Sequence, residues 1–153
     1  MKVACFADES YNNKTGTLCV AVVCFEYEGQ ALRAGDKVLE CIAKSYNWKI
    51  RGEMKAREFC KSKKFDGVDK MLSCLKESAF RVVCERTEMS LKSKEELLVK
   101  ALSLLGIRYD VLVVDAGLLG PKSKLRAMVV NSKKVKGVQV ADLLAGCGAR
   151  GLL

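Results

Sequence analysis

Apolar residues run from Lys2 to Ala7 and stop at Asp8-Glu9-Ser10, and the turn-forming stretch Tyr11 to Gly16 separates this run from a second one. The pattern predicts strand, loop, strand. The second run, Leu18 to Phe25, reads Leu-Cys-Val-Ala-Val-Val-Cys-Phe. It has no polar face, which predicts a strand inside a sheet covered on both sides. Between Gln30 and Tyr46, the residues Leu32, Val38, Leu39, Ile42 and Ala43 recur at helical spacing. Trp48 to Lys64 is basic without clean periodicity and predicts an irregular or short-stranded segment beside a groove. A helix is expected over Val68 to Glu77 and a strand over Phe80 to Cys84. Ser93 to Leu105 reads as an amphipathic helix, with Ser93 and Glu96 as a capping box and Gly106 as its stop. Tyr109 to Val114 is a buried strand ending at Asp115-Ala116-Gly117, Arg126 to Val130 an edge strand, and Gly137 to Leu152 a final helix rich in Ala and Gly. An early hairpin followed by strands alternating with helices implies a mixed sheet with helices on its faces, class α/β. At 153 residues the chain is expected to form one domain.

Composition narrows the chemistry. With no histidine, every imidazole-dependent mechanism is excluded, Ser-His-Asp and Cys-His hydrolysis included, together with His-ligated metals. Carboxylates, Lys, Ser and Cys must carry any reaction. The eight cysteines form neither a C-x-x-C pair nor a close cluster, which argues against structural zinc. They read mostly as buried apolar thiols; the two Gln among many Lys and Glu hint at a thermophile, in which internal disulfides become credible. Asp8 and Glu9 interrupt the N-terminus before a signal sequence could develop, and Leu18 to Phe25 is too short to cross a bilayer. A cytoplasmic location without membrane association is the expectation.

The net charge of +9 is unevenly spread. Lys44 to Lys70 carries nine basic and four acidic residues, and Ala116 to Ala141 carries six basic and none acidic. Concentrated positive charge suits a polyanion, because each neutralised phosphate releases counterions; a solubilising surface is the other reading. If the partner is nucleic acid, Lys49, Arg51, Arg57, Lys122, Lys124, Arg126, Lys133 and Lys134 are the candidate phosphate contacts.

Asp8 and Asp115 each close a run that has to be buried, and ligands of α/β sheets bind beyond the carboxyl ends of parallel strands. Two carboxylates at one edge persist most easily around a cation, although Asp is also a common strand-ending residue. Asp142 lies in Gly137-Val138-Gln139-Val140-Ala141-Asp142-Leu143-Leu144-Ala145-Gly146, a helix that is apolar around nearly its whole circumference. A carboxylate there needs a partner. Metal is one, and an ion pair with Arg150 or a nearby lysine is the other. Glu53, in Arg51-Gly52-Glu53-Met54-Lys55, reads alone as a solvated salt-bridge partner.

Taken together, Asp-Glu-Ser at Asp8 to Ser10, Glu-x-Lys at Glu53 to Lys55, the strand-ending Asp115, and Gly-x-Gln-x-Ala-Asp-Leu-x-Ala-Gly at Gly137 to Gly146 resemble the family called domain of unknown function 3800. The resemblance spans nearly the full chain, and the C-terminal motif is its most specific part. It implies a ribonuclease H-like mixed sheet, in which acidic residues from strands and a late helix hold one or two Mg²⁺ or Mn²⁺ ions for phosphodiester cleavage. Carried over, it implies Asp8, Glu53, Asp115 and Asp142 as catalytic metal ligands, with Glu9, Lys55 and Gln139 nearby. Superfamily members supply the glutamate from different elements, so Glu85, just after the Phe80 to Cys84 run, is the alternative to Glu53. Hard oxygen donors without His suit these cations independently of the resemblance.

The function expected is that of a divalent-metal-dependent nuclease or related phosphoryl-transfer enzyme. The alternatives are an inactive nucleic-acid-binding module and a structural or partner-binding protein of the same fold. The small residues from Ala145 to Gly151 also offer a face on which a second copy of the chain could pack.

Overall fold

Every side chain from Leu18 to Phe25 is buried in the second strand, β2 (Thr17–Tyr27), as its unbroken apolar run requires. The computed structural model describes residues 1–153. β2 pairs antiparallel with β1 (Lys2–Asn12) on one side and with β3 (Ala79–Arg86) on the other. β4 (Val111–Asp115) lies parallel to β1, and β5 (Met128–Val130) parallel to β4, giving the order β3-β2-β1-β4-β5. This is an α/β fold with a mixed five-stranded sheet between helices, compatible with a ribonuclease H-like layout.

Strand alternation sorts the core into two layers. Cys5, Ala7, Leu18, Val20 and Val22 meet Leu97, Leu98 and Ala101 of α4 (Leu91–Leu105). Ala4, Phe6, Ala21 and Val23 meet α5 (Lys136–Ala149), which is joined on that face by α1 (Asp36–Ser45), α2 (Ala56–Lys61) and α3 (Asp69–Cys74). α5 can lie this close to β1 because residue 137 is Gly: a Cβ there would sit 2.7 Å from the Phe6 ring. Between β2 and β3, Tyr46, Trp48, Phe59 and Phe65 form an aromatic cluster, and Tyr46 donates to Gly67 O and accepts from Met71 N. The segment expected to be irregular is anchored by this cluster and contains the short helix α2.

Several boundaries differ from expectation. β1 continues through Asp8, Glu9 and Ser10 to Asn12, because β2 pairs with it along its whole length. α4 starts two residues before Ser93: Ser90, in extended backbone, is the N-cap and accepts from Ser93 N at 3.1 Å, so the Ser93–Glu96 capping box does not form. Gly106 ends that helix in the left-handed region, as expected.

The cysteines are the larger correction. Cys5–Cys24, Cys19–Cys84 and Cys41–Cys74 are disulfides, leaving only Cys60 and Cys147 as thiols. The first two pairs stand directly opposite each other across antiparallel strands, with Cα atoms 4.0 and 4.1 Å apart. Disulfides are rare in the reducing cytosol of most organisms, so they weigh against an ordinary cytoplasmic location. No helix is long and apolar enough to cross a membrane. The small-residue stretch of α5 is not a free face either: Gly146 faces Ala56, and a Cβ on Gly148 would lie 2.8 Å from Val82. Those glycines and alanines let α2 and the sheet approach within the same chain.

Candidate functional site

β1 overruns β4 at their carboxyl ends, and this offset opens a crevice. The parallel register ends at Ala7 opposite Val114, so Asp8 and Asp115 are the next residue on each strand. Asp8 shares the face of Ala4 and Phe6 and points toward α5; Glu9, one residue on, belongs to the α4 side, where Lys94 Nζ lies 3.4 Å from its Oε1. At the end of the sheet both still reach the crevice: Asp8, Glu9 and Asp115 each offer an oxygen within 4.8 Å of the others. Asp142 comes from α5 and Glu53 from the segment before α2, and all five carboxylates line one open cleft of about 200 Å³. Lys55, Arg57 and Arg150 complete its charged rim, with Ser10 and Ser132 between them.

Gln139 holds the wall of the cleft in place. It is 1% exposed; its Oε1 accepts from Met54 N at 3.0 Å and its Nε2 donates to Ser132 O at 2.8 Å. Ser132 in turn donates from its backbone N to Asp115 Oδ1 at 3.2 Å and from its hydroxyl to Glu53 Oε1. One buried amide therefore ties the Glu53 segment, the turn after β5 and the end of β4 to α5. Lys55 Nζ lies 3.8 Å from Glu53 Oε2.

The cluster is only partly compensated: Lys94 and Lys55 face Glu9 and Glu53, but no cationic side chain pairs with Asp8, Asp115 or Asp142. Burial, then the charges of Asp142, Glu9 and Asp115, holds the Asp8 carboxyl well above its ordinary range. Burial pushes Asp142 up to about 6 against the opposing hydrogen bond from Ala56 N, and Glu53 adds to the rise. Asp115 is raised by burial and by Glu9, against the backbone donors of Ser132 and Ala116. The ion pair considered for Asp142 does not form: Arg150 Nη1 donates to Gly146 O at 3.0 Å, and Ala56 N is the donor to Asp142 Oδ2 at 3.1 Å. Glu9 Oε2 is buried with no hydrogen-bond partner. A buried carboxylate oxygen without a donor is costly unless a cation neutralises it. With donors that are all hard oxygens, the residues fit Mg²⁺ or Mn²⁺.

Glu53, not Glu85, is the glutamate at the cleft: Glu85 pairs with Leu18 on the edge strand β3 and faces solvent. Of the candidate phosphate contacts only Arg57 lines the cleft. Lys133 and Lys134 follow Ser132 in a 3₁₀ turn, Lys49 and Arg51 are exposed before Glu53, and Lys122, Lys124 and Arg126 are exposed between β4 and β5. Lys94 and Ser132 were not legible as site residues, and Arg150 was legible only as an ion-pair partner for Asp142. Ser132 carries no motif, and Lys94 lies far along the chain in a helix whose face toward β1 is set by packing. Comparison with family models, curated proteins and solved structures finds no match to this chain.

Proposed function

We propose that this protein is a divalent-metal-dependent nuclease of ribonuclease H-like fold, akin to the domain of unknown function 3800 family. The observation that carries the reading is the convergence of five carboxylates from four segments on one cleft, with Glu9 Oε2 buried and unpartnered among them. Asp8, Glu9 and Asp115 would hold the ion, with Asp142 and Glu53 beside them. Mg²⁺ or Mn²⁺ held there would supply charge neutralisation at the phosphate and would lower the pKa of a water so that it ionises to an attacking hydroxide.

The chain's own residues do the rest. Arg57, Arg150 and Lys55 lie on the rim, where their cationic groups can hold strand phosphates without reading sequence. Gln139 and Ser132 keep Glu53 and Asp115 oriented toward the same space. Lys94 holds Glu9 by its other oxygen and donates to Gly117 O at 3.1 Å, fixing the loop that follows Asp115. A compartment in which the disulfides persist, such as the interior of a thermophile, reconciles the expected cytoplasmic location with three such bonds.

The test is cleavage of end-labelled single- and double-stranded DNA and RNA with Mg²⁺, with Mn²⁺ and with chelator. Metal-dependent cleavage that Asp8→Asn abolishes is expected. Salt-sensitive binding without cleavage would instead mark an inactive nucleic-acid-binding module; neither binding nor cleavage would leave a structural or partner-binding protein.

A further inference from the structure

Six of the eight cysteines are bonded, and the two that remain are neighbours. Cys60 on α2 and Cys147 on α5 have their Sγ atoms 3.8 Å apart, held there because α2 rests on the glycine-lined side of α5 at Ala56 and Gly146. Their environments differ. Cys147 is fully buried, whereas Cys60 is partly exposed and lines an open cleft of about 520 Å³ beside the carboxylate site, together with Arg57, Lys61 and Arg150.

We propose that Cys60 and Cys147 form a reversible redox site, a dithiol that a peroxide oxidises to a fourth disulfide joining α2 to α5. Cys60 is the attacking sulfur, because the cleft gives a small oxidant access to it and not to Cys147. The hydrogen bond from Cys147, and then the nearby charge of Arg150, favour its thiolate, while the same hydrogen bond and burial hold Cys147 in the thiol form. The Cys60 thiolate attacks one peroxide oxygen, the O–O bond breaks, and Cys60 becomes a sulfenic acid as the other oxygen leaves as hydroxide, which takes up the proton the Cys60 thiol had released and becomes water. Cys147 Sγ then attacks Cys60 Sγ; the S–OH bond breaks, and the thiol proton leaves with the hydroxide as a second water. Two thiols have lost two electrons, and the peroxide has gained them. A small dithiol reverses the reaction by exchange. The partner thiol lies in contact, so the sulfenic acid is captured before further oxidation.

The experiment is non-reducing peptide mapping of the full chain, gently reduced, exposed to hydrogen peroxide and then alkylated. The expected result is a Cys60–Cys147 linked peptide that replaces both alkylated thiols, disappears on adding dithiothreitol to the folded protein, and leaves the other three linkages unchanged. Cys147→Ser should trap the Cys60 sulfenic acid for a dimedone label, with no new linkage. Cys60 passing to sulfinic acid while Cys147 stays alkylatable, both thiols surviving peroxide, or a linkage that forms only after unfolding would each overturn the proposal. If Cys147→Ser does not fold, the wild-type map decides alone. The readout is the bond itself, so the result is independent of nuclease activity.

Discussion

Replacing Asp142 with Asn keeps the shape of the side chain and its ability to accept from Ala56 N, while removing one charge from the cluster. Burial raises the Asp142 carboxyl from 3.8 to about 6. Its folded value lies above its unfolded one, so its contribution to stability is fully present below 3.8 and is lost as pH rises through about 6. At 1.36 kcal/mol per unit, a shift of this size costs the apo protein about 3 kcal/mol above pH 7. The opposing hydrogen bond from Ala56 N is already contained in that shift, so the net gain in Asp142→Asn is itself about 3 kcal/mol. In a chain of this size that raises Tm by about 6–12 °C. Melting curves in chelator from about pH 4 to pH 8 should show the mutant ahead at the alkaline end and the gap closing toward the acidic end. Added Mn²⁺ should stabilise the wild type and act much more weakly on the mutant. A mutant less stable than wild type at pH 8 in chelator, or a gap that does not change with pH, would refute the electrostatic reasoning.

Gln139→Leu leaves Met54 N and Ser132 O without their buried partner, at about 1–3 kcal/mol each, and should lower Tm. It should also shrink the Mn²⁺-induced Tm shift, since Glu53 and Asp115 lose their common anchor; calorimetry with and without metal measures both effects. Arg57→Ala combined with Arg150→Ala should weaken nucleic-acid binding and flatten its dependence on salt, whereas Lys122→Ala with Lys124→Ala, which do not line the cleft, should change the slope less. Fluorescence anisotropy at several salt concentrations separates the two cases. Gly137→Ala drives a methyl group into the Phe6 ring and should cost about 1–3 kcal/mol by overpacking, read as a lower denaturant midpoint.

The elements most deeply buried were legible from the chain alone. Leu18 to Phe25, Tyr109 to Val114 and Gly137 to Leu152 could be read as strand, strand and helix because an enclosed segment must be largely apolar, whatever encloses it, although β4 starts only at Val111 and α5 ends at Ala149. Asp8, Asp115 and Asp142 stood out for the same reason, as charges where apolar residues were required. The features that depend on which segments meet could not be read this way. Cys5 finds Cys24, and Cys19 finds Cys84, only once strand register places them opposite each other, and spacing along the chain carries no trace of register. Glu53 and Glu85 are equally plausible as text; the aromatic cluster that anchors the Glu53 segment and the edge position of β3 decide between them. Glu9 would be expected on the opposite face from Asp8, yet the overrun of β1 past β4 leaves both beside open space. The small residues of α5 looked like a surface for another subunit and instead admit Ala56 and Val82 of the same chain, since a stretch without side chains accepts whatever neighbour the topology delivers.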